Sequence, residues 1–324
     1  MASSWKCVWA ALILVAAKST AAGTAVPRLD RVVVVIMENH DYSQVRDASY
    51  TASLRASGAE LTNSHAIGHP SQPNYLELWA ASALTITDDT CPPPGSPFTA
   101  ENFGHACEAA GQTWRAYSEN LSAAGSSVCS ADGGLYARRH EPWTDFSNLN
   151  HQSERPFTDL ATDISNHTLP NLAFIVPNNC DNTHDCSVAV GDAWLSSHLP
   201  AVINAVGPNG IVILTWDEDS GTPGNNNHIL TVLVGGRVKV GYQSTGTVNH
   251  YNVVRTICDA LDLAPFANAA SVSPILDVWT ASTSVGPSAS GLSLSSPMPN
   301  PFRRSIGMTL RLPDPMSVEL SITD

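Results

Sequence analysis

Three runs of almost unbroken apolar, β-branched residues constrain this chain more than anything else in it: VVVVIM at 32–37, LAFIV at 172–176 and IVILT at 211–215. Branching at Cβ restricts χ1 and favours extended backbone. Runs without apolar–polar alternation belong to strands covered on both faces, as in a parallel sheet layered between helices. HILTVLVGG, from His228, is a fourth such run. Between them, residues 73–83, 99–110, 190–206 and 251–261 read as helices, the second ended by Gly111 and the third by GPNG. The pattern over 31–268 predicts an α/β fold, a largely parallel sheet flanked by helices.

Each of the three runs passes straight into polar, ionisable residues. Met37 leads into Glu38, Asn39, His40 and Asp41; Val176 into the segment 178–185; Thr215 into Asp217, Glu218 and Asp219. Ligands of open α/β sheets gather at the carboxyl ends of the strands, where the loops converge. One acidic loop is usually a solvated turn, but three on core strands make a candidate site. Glu38, Asp217 and Glu218, with Asn39 as a neutral oxygen donor, would repel one another unless a divalent cation lay among them. Oxygen donors suit Mg, Ca or Mn, whereas His184, His228 and Asp181 or Asp185 would add the ligands that suit Zn, Fe or Mn, so the metal's identity stays open. For each histidine, a hydrogen-bonded loop role competes with ligation.

A second feature is HPSQPNYLELWAASAL, in which Ser71 stands two residues before Pro73, a residue favoured at the first position of a helix. Helix N-termini stabilise negative charge, which suits a serine nucleophile and a phosphoryl group attached to it. The competing role for Ser71 is an ordinary helix cap. His69 and His250 are candidate proton donors, with hydrogen bonding as the alternative for each.

Charge narrows the partners. The 324 residues carry 16 Lys and Arg against 29 Asp and Glu, a net charge of −13. No basic stripe is present, so nucleic-acid binding is not expected. Residues 1–23 combine Lys6, an apolar run over 8–17 and small residues near Ala22, the pattern of a signal peptide cleaved near 22–24. The run falls well short of the about 20 residues needed to span a bilayer, and stable membrane insertion is not expected. Export to a secreted, periplasmic or cell-surface location follows. Beyond Cys7, six cysteines remain, enough for up to three disulfides, of which only the local pair Cys180 with Cys186 is favoured by spacing. No C-x-x-C pair supports a cysteine zinc site.

Residues 28–280 are therefore expected to form the catalytic domain. Residues 281–296, rich in Ser, Thr and Gly, read as a linker. In 297–324 two alternating runs, 307–312 and 317–322, flank a Pro-Asp-Pro turn. With its PNPF opening this tail resembles the start of the small C-terminal β-sandwich modules of secreted bacterial proteins, including type IX sorting domains. That resemblance implies an incomplete module and a secretion machinery as its partner.

Six blocks, MENHDY, HPSQPNYL, PNNCDNTHDCS, TWDEDSG, NNHILTVLVGG and HYNVVRTICDALDL, occur in this order over about residues 30–268. In sequence and order they resemble the phosphoesterase family, which holds bacterial and fungal acid phosphatases and bacterial phospholipases C, within the alkaline-phosphatase-like superfamily. The resemblance implies that Glu38 and Asn39 bind metal, that Ser71 is the nucleophile, and that Asn74 holds a phosphate oxygen. Asp217 and Glu218 match an acidic pair that in cousins outside the family is Asp followed by His; Glu makes the site harder. Asp181, His184 and Asp185 would add ligands or hold the leaving group, His184 as general acid, and His228 would complete the set. The expected activity is metal-dependent hydrolysis of a small phosphate monoester through a phosphoserine intermediate. The alternatives are a phospholipase C-type phosphodiesterase and a non-catalytic secreted binding module.

Overall fold

The computed structural model describes residues 25–280; the expected signal peptide, the linker over 281–296 and the C-terminal module over 297–324 lie outside the described residues. In chain order the strands that build its main sheet are β1 (Arg31–Met37), β2 (Ala59–His65), β3 (Trp114–Ser118), β4 (Glu154–Pro156), β5 (Leu172–Val176), β6 (Gly210–Trp216), β7 (His228–Gly235), β8 (Tyr242–Ser244) and β9 (Val248–Asn249). Across the sheet the order is β8-β2-β7-β6-β1-β5-β3-β4, with β9 also paired to β2. All pairings are parallel except those of β7, which runs against both β6 and β2. The expected largely parallel α/β architecture is what the chain adopts.

The helices are α1 (Tyr42–Val45), α2 (Ser49–Ser57), α3 (Ser71–Ala80), α4 (Phe103–Ala109), α5 (Thr158–Ser165), α6 (Val188–Val206) and α7 (His250–Ala260). Strand β1 shows why both faces need cover. Val32, Val34 and Ile36 join a core with Leu76 and Trp79 of α3, Phe103 of α4 and Ile257 of α7. Val33, Val35 and Met37 point the other way, to Leu54 of α2, Leu160 of α5 and Leu195 of α6. Period-two alternation delivers apolar side chains to both sides, each worth roughly 1.5–3 kcal/mol on full burial.

The expected helices are all present, with ends moved by local capping. The second begins at Phe103 rather than 99 because the Asn102 side chain accepts from His105 N at 3.0 Å, a cap that fixes the start. Asn249 likewise accepts from Tyr251 N at 3.0 Å and starts α7 at His250. Pro73 falls at the third helical position of α3, not the first, and Ser71 itself opens the helix. Strand β2 escapes the sequence pattern because most of its residues are polar. Glu60 in β2 is buried only because Arg55, at 2.6 Å, and the Tyr42 hydroxyl, at 2.6 Å, meet its carboxylate.

Gly191 in α6 shows how closely the layers approach. A Cβ there would stand 2.3 Å from Thr183 Cγ2, 2.9 Å from Met37 Cε and 3.0 Å from Asp181 O. The Thr183 hydroxyl in turn donates to Glu38 O at 2.9 Å. Gly191→Ala must therefore displace the segment that holds Glu38, and overpacking of this kind costs about 1–3 kcal/mol. A lowered urea midpoint is the expected result, and an unchanged one would show that α6 yields freely.

Candidate active site

Register alone brings the first two acids together. In the parallel pair β1–β6, Met37 stands opposite Trp216, so the next residues, Glu38 and Asp217, leave the sheet side by side. Asp217 N donates to Met37 O at 3.0 Å, and Asn39 N donates to Asp217 Oδ1 at 3.3 Å. Asn39 adopts φ 38°, a left-handed conformation that asparagine tolerates better than most residues. That turn aims its amide at Glu218 Oε1, 3.2 Å from Nδ2. Glu38 and Asp217 are fully buried.

Ser71 enters from the other side, at the first turn of α3. Its hydroxyl does not cap the helix. It lies 3.1 Å from Glu38 Oε2, 3.4 Å from Glu218 Oε1 and 3.5 Å from Asn39 Oδ1. The helix terminus is instead neutralised by Asp89, whose carboxylate accepts from Gln72 N at 2.9 Å. Asn74 braces the approach: its Oδ1 accepts from Ile67 N and Gly68 N, both at 3.2 Å, and its Nδ2 donates to Gly68 O at 2.8 Å and Glu218 Oε2 at 3.0 Å. Both ends of that amide are engaged, so holding a phosphate oxygen would require it to release Glu218.

Burial, then repulsion from neighbouring carboxylates, pushes these acids toward their neutral forms. Glu38 rises to about 8, with Glu218 as the repelling neighbour, and Glu218 rises to about 9, with Asp217 foremost. Asp217 is raised well above the usual range by burial and by Glu38. Glu38 Oε1 and Asp217 Oδ2 are buried and accept no hydrogen bond. Such orphaned acid oxygens, beside the neutral oxygens of Asn39 and Ser71, fit a hard divalent cation. Among the described residues no three His, Cys, Asp or Glu side chains close into a ready metal cage, so a cation held here would need the amide and hydroxyl oxygens as well.

The remaining sequence candidates divide. His69, half exposed, spans Glu218 Oε2 at 3.0 Å and Asp219 Oδ1 at 3.3 Å and is placed to carry a proton at the rim. His250 is buried with Nε2 2.7 Å from Asp217 O, and burial lowers it to about 4, so near neutral pH it steadies Asp217 rather than giving up a proton. His184 contacts Asp185 at 2.7 Å, and its ring lies 6.2 Å from that of His140, on the edge of the cluster. Asp181 does not join: its carboxylate accepts from Asn178 Nδ2 at 2.9 Å and faces Glu119. Asp185 is turned to His184. Because β7 is antiparallel, its first residue does reach the carboxyl edge, but the His228 ring stacks on Tyr42 at 4.4 Å and its Nε2 meets Thr62 O at 3.0 Å. It stands apart from Ser71.

Sequence reasoning missed a wall of the site contributed by Tyr75, Arg139 and His140. His140 is buried, stacks on Tyr75 with centroids 5.0 Å apart, and puts Nε2 3.2 Å from Glu38 Oε1 without hydrogen-bond alignment. The motif RRHEPW lies in a stretch of short 3-10 turns with no strand or helix periodicity to mark it, and only its cluster of basic residues could have drawn attention. The local disulfide Cys180–Cys186 is formed as expected, and Cys91–Cys129 is a second. Cys107 and Cys258 are buried thiols, so two of the three allowed bridges are present.

The three raised acids fix a pH dependence. Glu38 and Glu218 hold protons in the folded chain up to about 8 and about 9, against 4.5 for an unperturbed glutamate. The folded state thus binds more protons across that window, and stability falls as pH rises through it. In chelator, the urea midpoint is expected to drop between pH 5 and pH 8.5, and added divalent cation should restore much of the loss at pH 8.5. A midpoint indifferent to both would contradict the electrostatic reading.

A sequence model described as the Phosphoesterase family matches residues 44–264. Phosphatidylinositol-3-phosphatase of Mycobacterium tuberculosis is 38% identical over 262 residues, covering 80% of this chain and 85% of that protein. The acid phosphatase of Aspergillus fumigatus is 28% identical over 243 residues, covering 70% of this chain and 54% of the other. Among solved structures, an alkaline phosphatase superfamily protein from Vibrio parahaemolyticus superposes with TM-score 0.54 at 12% identity over 75% of this chain and 69% of that one. Murine ectonucleotide pyrophosphatase/phosphodiesterase 5 does so with TM-score 0.52 at 9% identity, over 78% of this chain and 100% of that one. These structural likenesses speak for the fold alone. With the extent of the sequence match they establish that the chain belongs to the phosphoesterase family, a hydrolase of phosphate ester bonds built on the alkaline-phosphatase-superfamily fold.

Proposed function

We propose that the protein hydrolyses phosphate monoesters with Ser71 as nucleophile. The observation that carries this reading is the orientation of Ser71: its hydroxyl turns away from the helix backbone and into a nest of carboxylates, 3.1 Å from Glu38 Oε2. A capping serine would accept from the backbone instead. With a divalent cation held beside them Glu38 and Glu218 would give up the protons they otherwise keep, and at 3.1 and 3.4 Å either is near enough to take the Ser71 proton as its oxygen forms a bond to phosphorus. Asn39 orients Glu218, His250 steadies Asp217, and Asn74 holds the 66–70 segment so that Ser71 keeps its position. His69, at the rim, is the group best exposed to pass a proton to the departing oxygen. Glu38, Asn39, Asp217 and Glu218 would hold a divalent cation, which would supply positive charge against the developing alkoxide and the phosphoryl oxygens.

The acid phosphatase relatives support the monoester preference. A second reading of the substrate, a phosphatidylinositol carrying a 3-phosphate, is favoured by the more similar mycobacterial relative, whose name is phosphatidylinositol-3-phosphatase. In either case the bond broken is that of a monoester. Two disulfides support an oxidising location outside the cytosol, in line with the expected export.

Ser71→Ala is expected to lower kcat for p-nitrophenyl phosphate by several orders of magnitude while leaving the thermal midpoint nearly unchanged, because the hydroxyl acts mainly in the transition state. Acid quench during turnover should trap phosphate on Ser71 of the unaltered enzyme, and chelation should abolish the signal. An active Ser71→Ala enzyme would refute the covalent route. Phosphate release from phosphatidylinositol 3-phosphate, compared with the soluble ester, decides between the two substrates.

A further inference from the structure

The helix that presents Ser71 begins against a negative charge, although an anionic substrate has to be received there. Gln72 N, in the residue that follows Ser71, donates to Asp89 Oδ1 at 2.9 Å. This is not a local cap: Pro70 precedes the helix and offers no side-chain bond, and Asp89 stands 17 residues beyond Gln72. A built support holds it there. The buried Gln72 side chain donates through Nε2 to Asp88 O at 3.0 Å and to Thr90 O at 3.1 Å, so one residue grips the loop on either side of Asp89. Just beyond, Cys91 ties the same loop to Cys129. Asp89 is exposed and forms no ion pair among the described residues; at the rim His69 turns to Glu218 and Asp219 instead. Its charge reaches inward all the same. After burial and Asp217, Asp89 is the next influence that raises Glu218, whose Oε1 lies 3.4 Å from Ser71 Oγ.

Ser71 Oγ and Gln72 N are separated by only a few covalent bonds, so a phosphoryl group attached to the serine lies beside the N–H that Asp89 occupies. An uncharged Asn or Ser would satisfy that N–H about as well as a carboxylate does. The charge therefore calls for a role of its own. Resting on the reading of Ser71 as phosphoryl acceptor, we propose that Asp89 mimics an anion at the helix start and sets a low affinity for dianionic phosphate, so that the hydrolysed group is released rather than retained. Two arguments support it. Helix N-termini hold phosphate oxygens through free N–H groups, and here one of the few available is already taken, since Pro73 has none. Fixed like charges also repel in proportion to the charge of the ligand, and free phosphate carries a second negative charge that a diester lacks. A cation held by the acids would bind the product tightly, and a carboxylate fixed at the helix start offsets part of that attraction.

The test is calorimetric binding of inorganic phosphate and of dimethyl phosphate to the full protein at pH 8 in saturating manganese, a cation that suits oxygen donors. Asp89→Asn keeps an oxygen for Gln72 N and removes the charge. It should tighten phosphate by about 10-fold and dimethyl phosphate, with about half the charge, by about 3-fold, at a nearly unchanged thermal midpoint. Asp89→Ser is a second neutral variant with the same expectation, and Asp89→Glu, which keeps the charge, should leave phosphate within about 3-fold of wild type. A purely structural cap predicts unchanged or weaker phosphate binding in the neutral variants, and either result would overturn the proposal. Equal tightening of both ligands would do the same, because it would point to a freed N–H rather than to charge. So would tightening by Asp89→Glu as large as by Asp89→Asn, or the absence of phosphate binding in all of these proteins. Failure of the covalent reading would look different: Ser71→Ala would remain active while Asp89→Asn still tightened phosphate.

Discussion

The parallel pairing of β1 with β6 is the constraint on which the site depends. Once Met37 is opposite Trp216, Glu38 and Asp217 must emerge together at a dry edge, whatever the loops beyond them do. Bringing two carboxylates together without water is expensive unless protons or a cation compensate. Much of the nearby structure serves to keep them there. Asn182 O accepts from Glu38 N at 2.9 Å, Thr183 pins Glu38 O, and His250 pins Asp217 O. The Cys180–Cys186 bridge closes the loop that supplies Asn182 and Thr183. A rigid frame around an electrostatically unfavourable centre holds its oxygen donors in fixed positions, so a cation bound there would meet little reorganisation.

Ser71 gains its chemistry from the same frame. All ten residues of α3 are buried, so the helix cannot rotate to turn the hydroxyl elsewhere. Asp89 accepts the N–H of Gln72, and Pro73 has none to offer, so the helix end gives little to an incoming anion. The positive potential expected of a free helix terminus is therefore largely cancelled. On the reading of Ser71 as nucleophile, its activation would have to come from the groups its oxygen touches, Glu38 and Glu218.

The strands that carry the acids were legible because continuous apolar runs admit few other structures, and the acids themselves because each stands one to three residues past such a run. Asn39, Ser71, Asp217 and Glu218 meet as the motifs imply. What the sequence hid depends on contacts between distant segments. Glu60 lies in a strand that reads as polar, and only Arg55 and Tyr42, brought by neighbouring helices, explain its burial. Asp181 and Asp185 share a motif with His184, yet the tight turn around the disulfide sends Asp181 toward Asn178 and Glu119 instead. His228 sits at the correct edge, but stacking on Tyr42 holds it apart. Arg139 and His140 belong to a segment without regular periodicity, which is ordered by buried polar links such as Ser118 to Glu141 and Arg138 to Asp145.

The overall charge gives the arrangement of this wall its meaning. A chain with a net charge of −13 repels anions at a distance, but at physiological salt that repulsion fades over about 8 Å. Selection must then occur at contact, where desolvated groups interact far more strongly than across solvent. Within the site Glu38 stands between Ser71 on one side and the neutral His140, held by the charged Arg139, on the other. Keeping His140 neutral matters, because a protonated ring there would pair with Glu38 and compete with its contact to Ser71. Arg139 can remain charged without doing so, since it reaches Glu38 only through an intervening ring. A single turn of chain, residues 138–140, laid against Tyr75, thus keeps the charge of Arg139 one ring away from Glu38.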